Sequence, residues 1–210
     1  MKIIIVEKSA SAYNFSVRNA LYNNTYAQET SDCALLTLPD TALLRSGMPL
    51  FVPDTAWPLA VRVYAACRIS RLGRCIDKSF AHRYYDTVGM AVNFCAEKLC
   101  GTLRGMCLPE DMARGFDGSV GIGKMVPAHE SNNLPKEMIL KIDGVTKAVL
   151  TTEGLQTTLD EGLAFASRFF KLCHGDLILT AGEVCETNLQ TEQLIEGFCD
   201  EDRCLEIKIK

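Results

Sequence analysis

The segment VRVYAACRI, residues 61–69, alternates between two kinds of side chain along its length. Apolar residues occupy every odd position, whereas Arg62, Tyr64 and Arg68 fall among the even ones. A period of two belongs to a β-strand, in which successive side chains point to opposite faces of the sheet. We therefore predict a strand with two unlike faces, and a fold built around a sheet.

Short apolar runs recur along the rest of the chain. Further strands are predicted at residues 2–6, 34–38, 88–94, 137–142, 145–150, 177–180 and 204–209, and helices at residues 9–21, 96–105 and 159–170. The dipeptide Asp143-Gly144 separates two of these strands and favours a tight type I′ turn, because both turn residues need a positive φ. Residues 39–53 contain three prolines and are interpreted as a loop. The pattern predicts a β-rich α+β fold.

The composition is that of a folded domain. The chain has 210 residues, of which 48% are apolar, so one domain spanning residues 1–210 is expected, with residues 1–40 packed on it as an N-terminal extension. The net charge of −4 and the absence of a basic run argue against a nucleic-acid partner. No apolar stretch approaches the ~20 residues that cross a bilayer. The first apolar run is too short for a signal peptide, so a cytoplasmic location is expected.

Ten cysteines and three histidines occur in the sequence, but their spacing does not indicate a metal site. No CxxC pair is present. Without a secretory signal, free and buried thiols that act as small core residues are expected rather than disulfides.

Motifs of self-contained catalytic sites are also missing. The sequence has no GxSxG, no phosphate-binding loop and no HExxH. The glycine-rich GSVGIG, residues 118–123, is interpreted as a turn or tight β crossing because Pro127 follows in place of a helix. His82 lies in an aromatic run and is interpreted as a structural histidine.

Several segments, in this order, resemble the fumarylacetoacetate hydrolase family. They are PDTALL (39–44), FVPD (51–54), GRCI (73–76), FAHRYYDTVG (80–89), ARGFDGSVGIG (113–123), SRFFKLCHGDLILT (167–180) and IEGF (195–198). The resemblance implies a mostly β fold built around a rolled mixed sheet, as in the catalytic domain of that family. It also implies a homodimer.

The resemblance further implies a divalent cation, typically magnesium, manganese or calcium, held by three carboxylates. Aligned on the run from Arg68, those three positions fall on Arg62, Tyr64 and Asn93. Three negative charges are thereby replaced by one positive charge, and hard cations need oxygen ligands of the carboxylate kind. No glutamate occurs between Glu29 and Glu97, so no shift of the alignment restores the ligands. We therefore predict that the family metal is absent.

Other positions of the implied cleft have changed as well. The arginine of the family's metal-strand motif falls on Glu97, and the lysine before its GFD motif falls on Arg114. The loop that usually reads TGTP begins at Thr180 and reads TAGE. The candidate cleft residues are Arg62, Tyr64, Asn93, Glu97, Arg114, Asp117 and Thr180. No catalytic residue and no metal ligand are assigned among them.

Two interpretations remain open at this point. In the first, the chain has lost metal-dependent hydrolase chemistry. Arg62 and Arg114 then bind a small carboxylate or phosphate, or Arg62 pairs with Glu97 and fills the pocket. A partnership with an active paralogue would also fit this interpretation. In the second, the chain is a divergent hydrolase, isomerase or decarboxylase of a 2-oxo or 1,3-dicarbonyl acid. Arg62 or Arg114 then serves as the electrophile, and Tyr64 or His82 as the acid or base.

Overall fold

The structure is a computed structural model that describes residues 1–8, 33–56, 58–128, 135–151 and 155–210. Within these residues the strands are β1 Ile3–Lys8, β2 Cys33–Leu38, β3 Leu43–Arg45, β4 Leu59–Ile69, β5 Tyr85–Ala96, β6 Val120–Ile122, β7 Val126–Pro127, β8 Glu137–Ile142, β9 Val145–Thr151, β10 Leu177–Leu189, β11 Leu194–Cys199 and β12 Asp202–Lys208. The α-helices are α1 Lys78–Ala81, α2 Glu97–Gly105, α3 Asp111–Arg114 and α4 Leu155–Phe169. The helix predicted at residues 9–21 lies outside the described residues.

The strands form two sheets, and the larger one is mixed. Its order is β2-β1-β10-β4-β5-β6-β3, with β7 added beside β5. The pairs β1–β10 and β3–β6 are parallel, and the other pairs of this sheet are antiparallel. The smaller sheet has the order β12-β11-β8-β9.

The large sheet must curl, because its two end strands are almost adjacent in the chain. Strand β2 ends at Leu38 and β3 begins at Leu43. Five residue steps reach at most ~18 Å, whereas six inter-strand spacings of a flat sheet would separate the end strands by ~29 Å. The fold is accordingly a strand-rich mixed sheet rolled into a half-barrel, as predicted.

Strand β4 is buried on both faces of this sheet, and the predicted alternation is confirmed. Val61 and Val63 belong to the larger apolar cluster, which also contains residues of α4 and of the smaller sheet. Tyr64 belongs to a second cluster that contains Ile3 and Ile5 of β1. One face of β4 therefore packs into the larger apolar core, and its other face carries the candidate residues Arg62 and Tyr64.

The hairpin between β8 and β9 is confirmed as well. Asp143 and Gly144 have φ values of 49° and 79°, as a type I′ turn requires. The interpretation of residues 39–53 as a loop is wrong in part, because they include a 3-10 helix at Asp40–Ala42 and strand β3. Strand β3 is formed by pairing with the distant β6, which local sequence cannot reveal.

Candidate functional site

Strands β4 and β5 bring together the three residues that stand where the family resemblance implies metal-binding carboxylates. Arg62 lies directly opposite Asn93 in the antiparallel ladder, and Tyr64 is two residues further along β4 on the same face. Asn93 and Tyr64 are fully buried, and the side chain of Arg62 is 11% exposed. The polar groups are therefore held by the two central strands of the sheet, in nearly dry surroundings.

Arg114, the last residue of α3, inserts its guanidinium into this group. Its Nη2 donates to Glu7 Oε1 at 2.6 Å, lies 3.0 Å from the Tyr64 hydroxyl oxygen, and lies 3.4 Å from Asn93 Oδ1. Asn93 Nδ2 donates in turn to the carbonyl oxygens of Arg114 and Ser119. These bonds hold the amide oxygen of Asn93 toward the guanidinium, so Arg114 is the centre of a connected polar network.

Glu7 is the member that the sequence analysis missed. Its Oε1 accepts a second hydrogen bond from the Tyr64 hydroxyl at 3.0 Å and lies 3.8 Å from Arg62 Nη1. The signal was present in β1, because Ile3 and Ile5 lie on the face that contains Tyr64 and a period of two puts Glu7 on that same face. A carboxylate that continues a buried face requires a partner inside the protein.

Glu97 completes the group from the first residue of α2. Its Oε2 lies 3.8 Å from Arg62 Nη2, which is the pairing that one of the two sequence interpretations expected. We name these six residues the ion cluster: Glu7, Arg62, Tyr64, Asn93, Glu97 and Arg114. It contains two guanidinium groups and two carboxylates, so its formal charge is balanced.

The pKa values of the ion cluster follow from burial and pairing. Burial by itself raises the pKa of Glu7, but the hydrogen bond and charge of Arg114, the charge of Arg62 and the Tyr64 hydrogen bond together hold it below its usual range. Burial raises the pKa of Tyr64, and the Glu7 carboxylate adds to that rise. Burial works against a charged Arg114, yet Tyr64 and Glu7 raise its pKa. Both charges of the Glu7–Arg114 pair are therefore kept at neutral pH.

Acid is expected to weaken the fold through Glu7. A carboxylate with a lowered folded-state pKa stabilises the protein above its unfolded value of about 4.3, and this stabilisation is lost as the pH falls through the folded value. Urea unfolding between pH 6 and 3 should show a steeper loss of unfolding free energy in the wild type than in Glu7→Gln. The exposed Glu201→Gln is the control and should keep the wild-type slope; equal slopes for all three proteins would contradict the assignment.

Two of the candidate residues lie outside the ion cluster. Asp117 is exposed in the turn before β6. Thr180 pairs with Ala65, which belongs to the larger core, and its hydroxyl lies 3.4 Å from where a Cβ on Gly162 of α4 would be. Thr180 therefore faces the helix on the other side of the sheet. Side chains alternate along β10, so Thr180 lies on the same face of the sheet as Ile178, which belongs to the larger core.

His82 also lies away from the ion cluster. It caps the C-terminal end of α1, and its charge acts on Asp160 of α4. Helix α4 packs on the face of the sheet that Thr180 points to. His82 is thus separated from Tyr64 by the sheet.

The ion cluster does not fit the divalent cation that the family resemblance implies. Glu7 Oε1 and Asn93 Oδ1, which could otherwise bind a metal, already face the Nη2 group of Arg114. A guanidinium ~4 Å from a single positive charge costs about 4 kcal/mol at an effective dielectric constant of ~20, and it does not escape by deprotonation. Elsewhere, too, the part of the chain that the structure describes has no group of three or more His, Cys, Asp or Glu arranged to hold a metal.

Comparison with known proteins gives relatives in one family. A family model described as fumarylacetoacetate (FAA) hydrolase C-terminal matches residues 9–196. An oxaloacetate tautomerase from Arabidopsis thaliana is 24% identical over 182 residues, which cover 85% of this chain and 77% of that protein. An oxaloacetate tautomerase from Escherichia coli is 25% identical over 148 residues, which cover 70% of this chain and 68% of that protein.

Solved structures share the fold. A fumarylpyruvate hydrolase from Pseudomonas aeruginosa, in complex with Mn2+ and pyruvate, superposes with a TM-score of 0.79 at 19% identity, covering 100% of this chain and 89% of that one. A 2-hydroxyhepta-2,4-diene-1,7-dioate isomerase from Mycobacterium marinum gives a TM-score of 0.78 at 16% identity, covering 99% of this chain and 73% of that one. None of the helices described for this chain is long and apolar enough to cross a membrane.

Proposed function

Because the chain belongs to the fumarylacetoacetate hydrolase family, we propose that it is a member in which the ion cluster has replaced the metal-dependent site. Such a protein keeps the fold as a binding or interaction module and does not carry out metal-dependent hydrolysis or tautomerisation of oxo acids. The observation that supports the proposal is the position of Glu7. Its Oε1 accepts from Arg114 at 2.6 Å and from Tyr64 at 3.0 Å.

Glu7 gives the two arginines a carboxylate from within the chain. Arg114 is almost fully buried and already has Glu7 and Tyr64 as partners. A small carboxylate or phosphate from solution would therefore have to displace Glu7, which is tethered to the sheet and loses less entropy on pairing than a free ion. We accordingly favour a self-neutralised cluster over an anion-binding pocket as the role of Arg62 and Arg114.

A second candidate function is metal-free tautomerisation of a 2-oxo dicarboxylic acid. It draws on the relatives, which are oxaloacetate tautomerases, and on the 26% exposure of the Glu7 side chain, which leaves one face of the ion cluster open to solvent. Tautomerisation moves a proton between carbon and oxygen, which a carboxylate base and a guanidinium electrophile could assist. The lowered pKa of Glu7 makes it a weak base, and the raised pKa of Tyr64 makes it a weak acid. Both shifts argue against this role.

One experiment separates these functions. The purified chain and the E. coli relative are assayed for conversion of enol to keto oxaloacetate with and without Mn2+ or Mg2+, and their melting temperatures are measured at each metal concentration. A metal at ~100 times its dissociation constant adds about 2.7 kcal/mol, or roughly 5–10 °C for a chain of this size. We expect neither acceleration nor a melting shift for this chain, and any metal-dependent shift would contradict the proposal.

The second function predicts a different pattern in the same assay. Conversion would be accelerated without metal, and the acceleration would be lost in Tyr64→Phe and in Glu7→Gln.

The homodimer and the cytoplasmic location remain part of the proposal. Sedimentation of the purified chain would test the first of them.

A further inference from the structure

Two pairs of cysteines lie with their sulfur atoms in contact, and both pairs have the same spacing in the chain. Cys95 Sγ lies 3.1 Å from Cys100 Sγ, and Cys199 Sγ lies 3.3 Å from Cys204 Sγ. Each pair is separated by five positions. Since a disulfide bond is ~2.0 Å long, a small side-chain movement in either pair would close one.

The second pair owes its geometry to an irregularity in the hairpin of β11 and β12. Gly197 is opposite Leu205, but Phe198 is opposite Arg203. Cys204 is therefore an extra residue of β12 that has no residue of β11 opposite it. A bulge of this kind re-aims the side chain of the additional residue. Gly123 leaves room for it, because a Cβ on that glycine would lie 3.2 Å from Cys204 Sγ. The sulfur of Cys204 is thereby directed toward Cys199.

The two pairs differ in their access to solvent. Cys95 in β5 and Cys100 in α2 are 0% and 2% exposed. Cys199 is half-buried and Cys204 is 7% exposed, and both line a surface cavity of about 500 Å³. Only the second pair therefore has a route by which a small molecule could reach a sulfur atom.

The lining of the cavity carries charges of both signs around the sulfur atoms. Lys124 contributes a positive charge and Asp200 and Asp202 contribute negative ones. Arg203 also lines the cavity, where it is paired with Glu196 and Glu206. A zwitterionic molecule, with ammonium and carboxylate groups, can find a charge of the opposite sign for each kind of group in such a lining. The Cys204 thiol can donate to a deprotonated Cys199, and this hydrogen bond holds the pKa of Cys199 below its usual range, which favours its thiolate.

We propose that Cys199 and Cys204 form a reversible disulfide by exchange with a small zwitterionic disulfide of the glutathione class. The Cys199 thiolate attacks one sulfur of that molecule, whose S–S bond breaks and releases one thiolate, which takes up a proton from water. Cys204 then loses its proton to water and attacks the Cys199 sulfur, and the second small molecule leaves as a thiolate that takes up a proton from water. The protein dithiol is oxidised and the small disulfide is reduced to two thiols, so atoms and electrons balance.

The experiment uses the full, reduced chain equilibrated in glutathione buffers of increasing oxidised fraction. The reaction is quenched with acid, free thiols are alkylated in denaturant, and the masses of the tryptic peptides are measured by mass spectrometry. We expect peptides joined through Cys199 and Cys204 while Cys95 and Cys100 are recovered alkylated. The exposed Cys75 and Cys107 report that the reagent is active, since each should carry glutathione at the oxidising end of the series.

Single variants test the order of attack. Cys204→Ser should trap glutathione on Cys199 and give no linked peptides, whereas Cys199→Ser should leave Cys204 largely unmodified. The inference is overturned if Cys199 and Cys204 stay reduced where Cys75 and Cys107 are modified, or if the buried pair oxidises equally. Trapping on Cys204 rather than on Cys199 would overturn the assignment of the attacking sulfur. A melting curve for each variant shows that it is folded.

Discussion

Replacing Arg114 by methionine is expected to lower the unfolding free energy by about 3–5 kcal/mol, the cost of breaking a buried ion pair from one side. The guanidinium side chain is 6% exposed and donates to Glu7 at 2.6 Å. Methionine fills a similar volume, so the loss reflects the hydrogen bonds that the Glu7 carboxylate and the Tyr64 hydroxyl accept from the guanidinium. Urea unfolding at pH 7, followed by circular dichroism, measures the change.

Two further variants show whether pairing is the cause. Arg104→Met removes an arginine that is 44% exposed and pairs with Glu110, and it should cost no more than about 1 kcal/mol. The double variant Glu7→Gln with Arg114→Met should be more stable than Arg114→Met alone, because it no longer buries a carboxylate that has lost its closest cation. A double variant that is less stable than Arg114→Met would show that Glu7 is not the partner of Arg114.

Adding one methyl group at Gly182 is the second change with a large expected effect. A Cβ at this position of β10 would collide with the ring of Tyr64. Tyr64 is fully buried, and its hydroxyl is held by Glu7 and Arg114, so the ring has no room to move aside. Overpacking of this kind costs about 1–3 kcal/mol, and we expect Gly182→Ala to lie at the upper end of that range.

Gly101→Ala is the matched control for this change. Gly101 lies within α2, and a Cβ there would have nothing within 4 Å outside its own helix. Alanine should therefore stabilise the protein by about 0.4–1 kcal/mol. Thermal unfolding of both variants compares the two effects directly. If Gly182→Ala melts at the wild-type temperature, the ring of Tyr64 is not held in place by the ion cluster.

Local patterns in the sequence predicted strands β1, β2, β4, β5, β8, β9, β10 and β12, and the family resemblance pointed to every member of the ion cluster except Glu7. Alternation in VRVYAACRI predicted β4 and its two faces, and the Asp143-Gly144 pair predicted the hairpin, because both features depend on neighbours within a few residues. The order of the resembling segments also predicted that Arg62, Tyr64 and Asn93 lie together. In antiparallel strands, residues that face one another share one side of the sheet.

Glu7, and the contacts that join the ion cluster together, were decided by tertiary structure alone. Glu7 reaches Arg114 because β1 pairs in parallel with β10 and the rolled sheet brings α3 over the same face; the two residues are 107 positions apart. Thr180 was assigned to the cleft by its place in a motif, yet the register of β10 turns it toward α4. Residue types determined which charges the chain carries. Only long-range strand pairing determined which of them meet, because pairing energies depend on partners that local sequence does not specify.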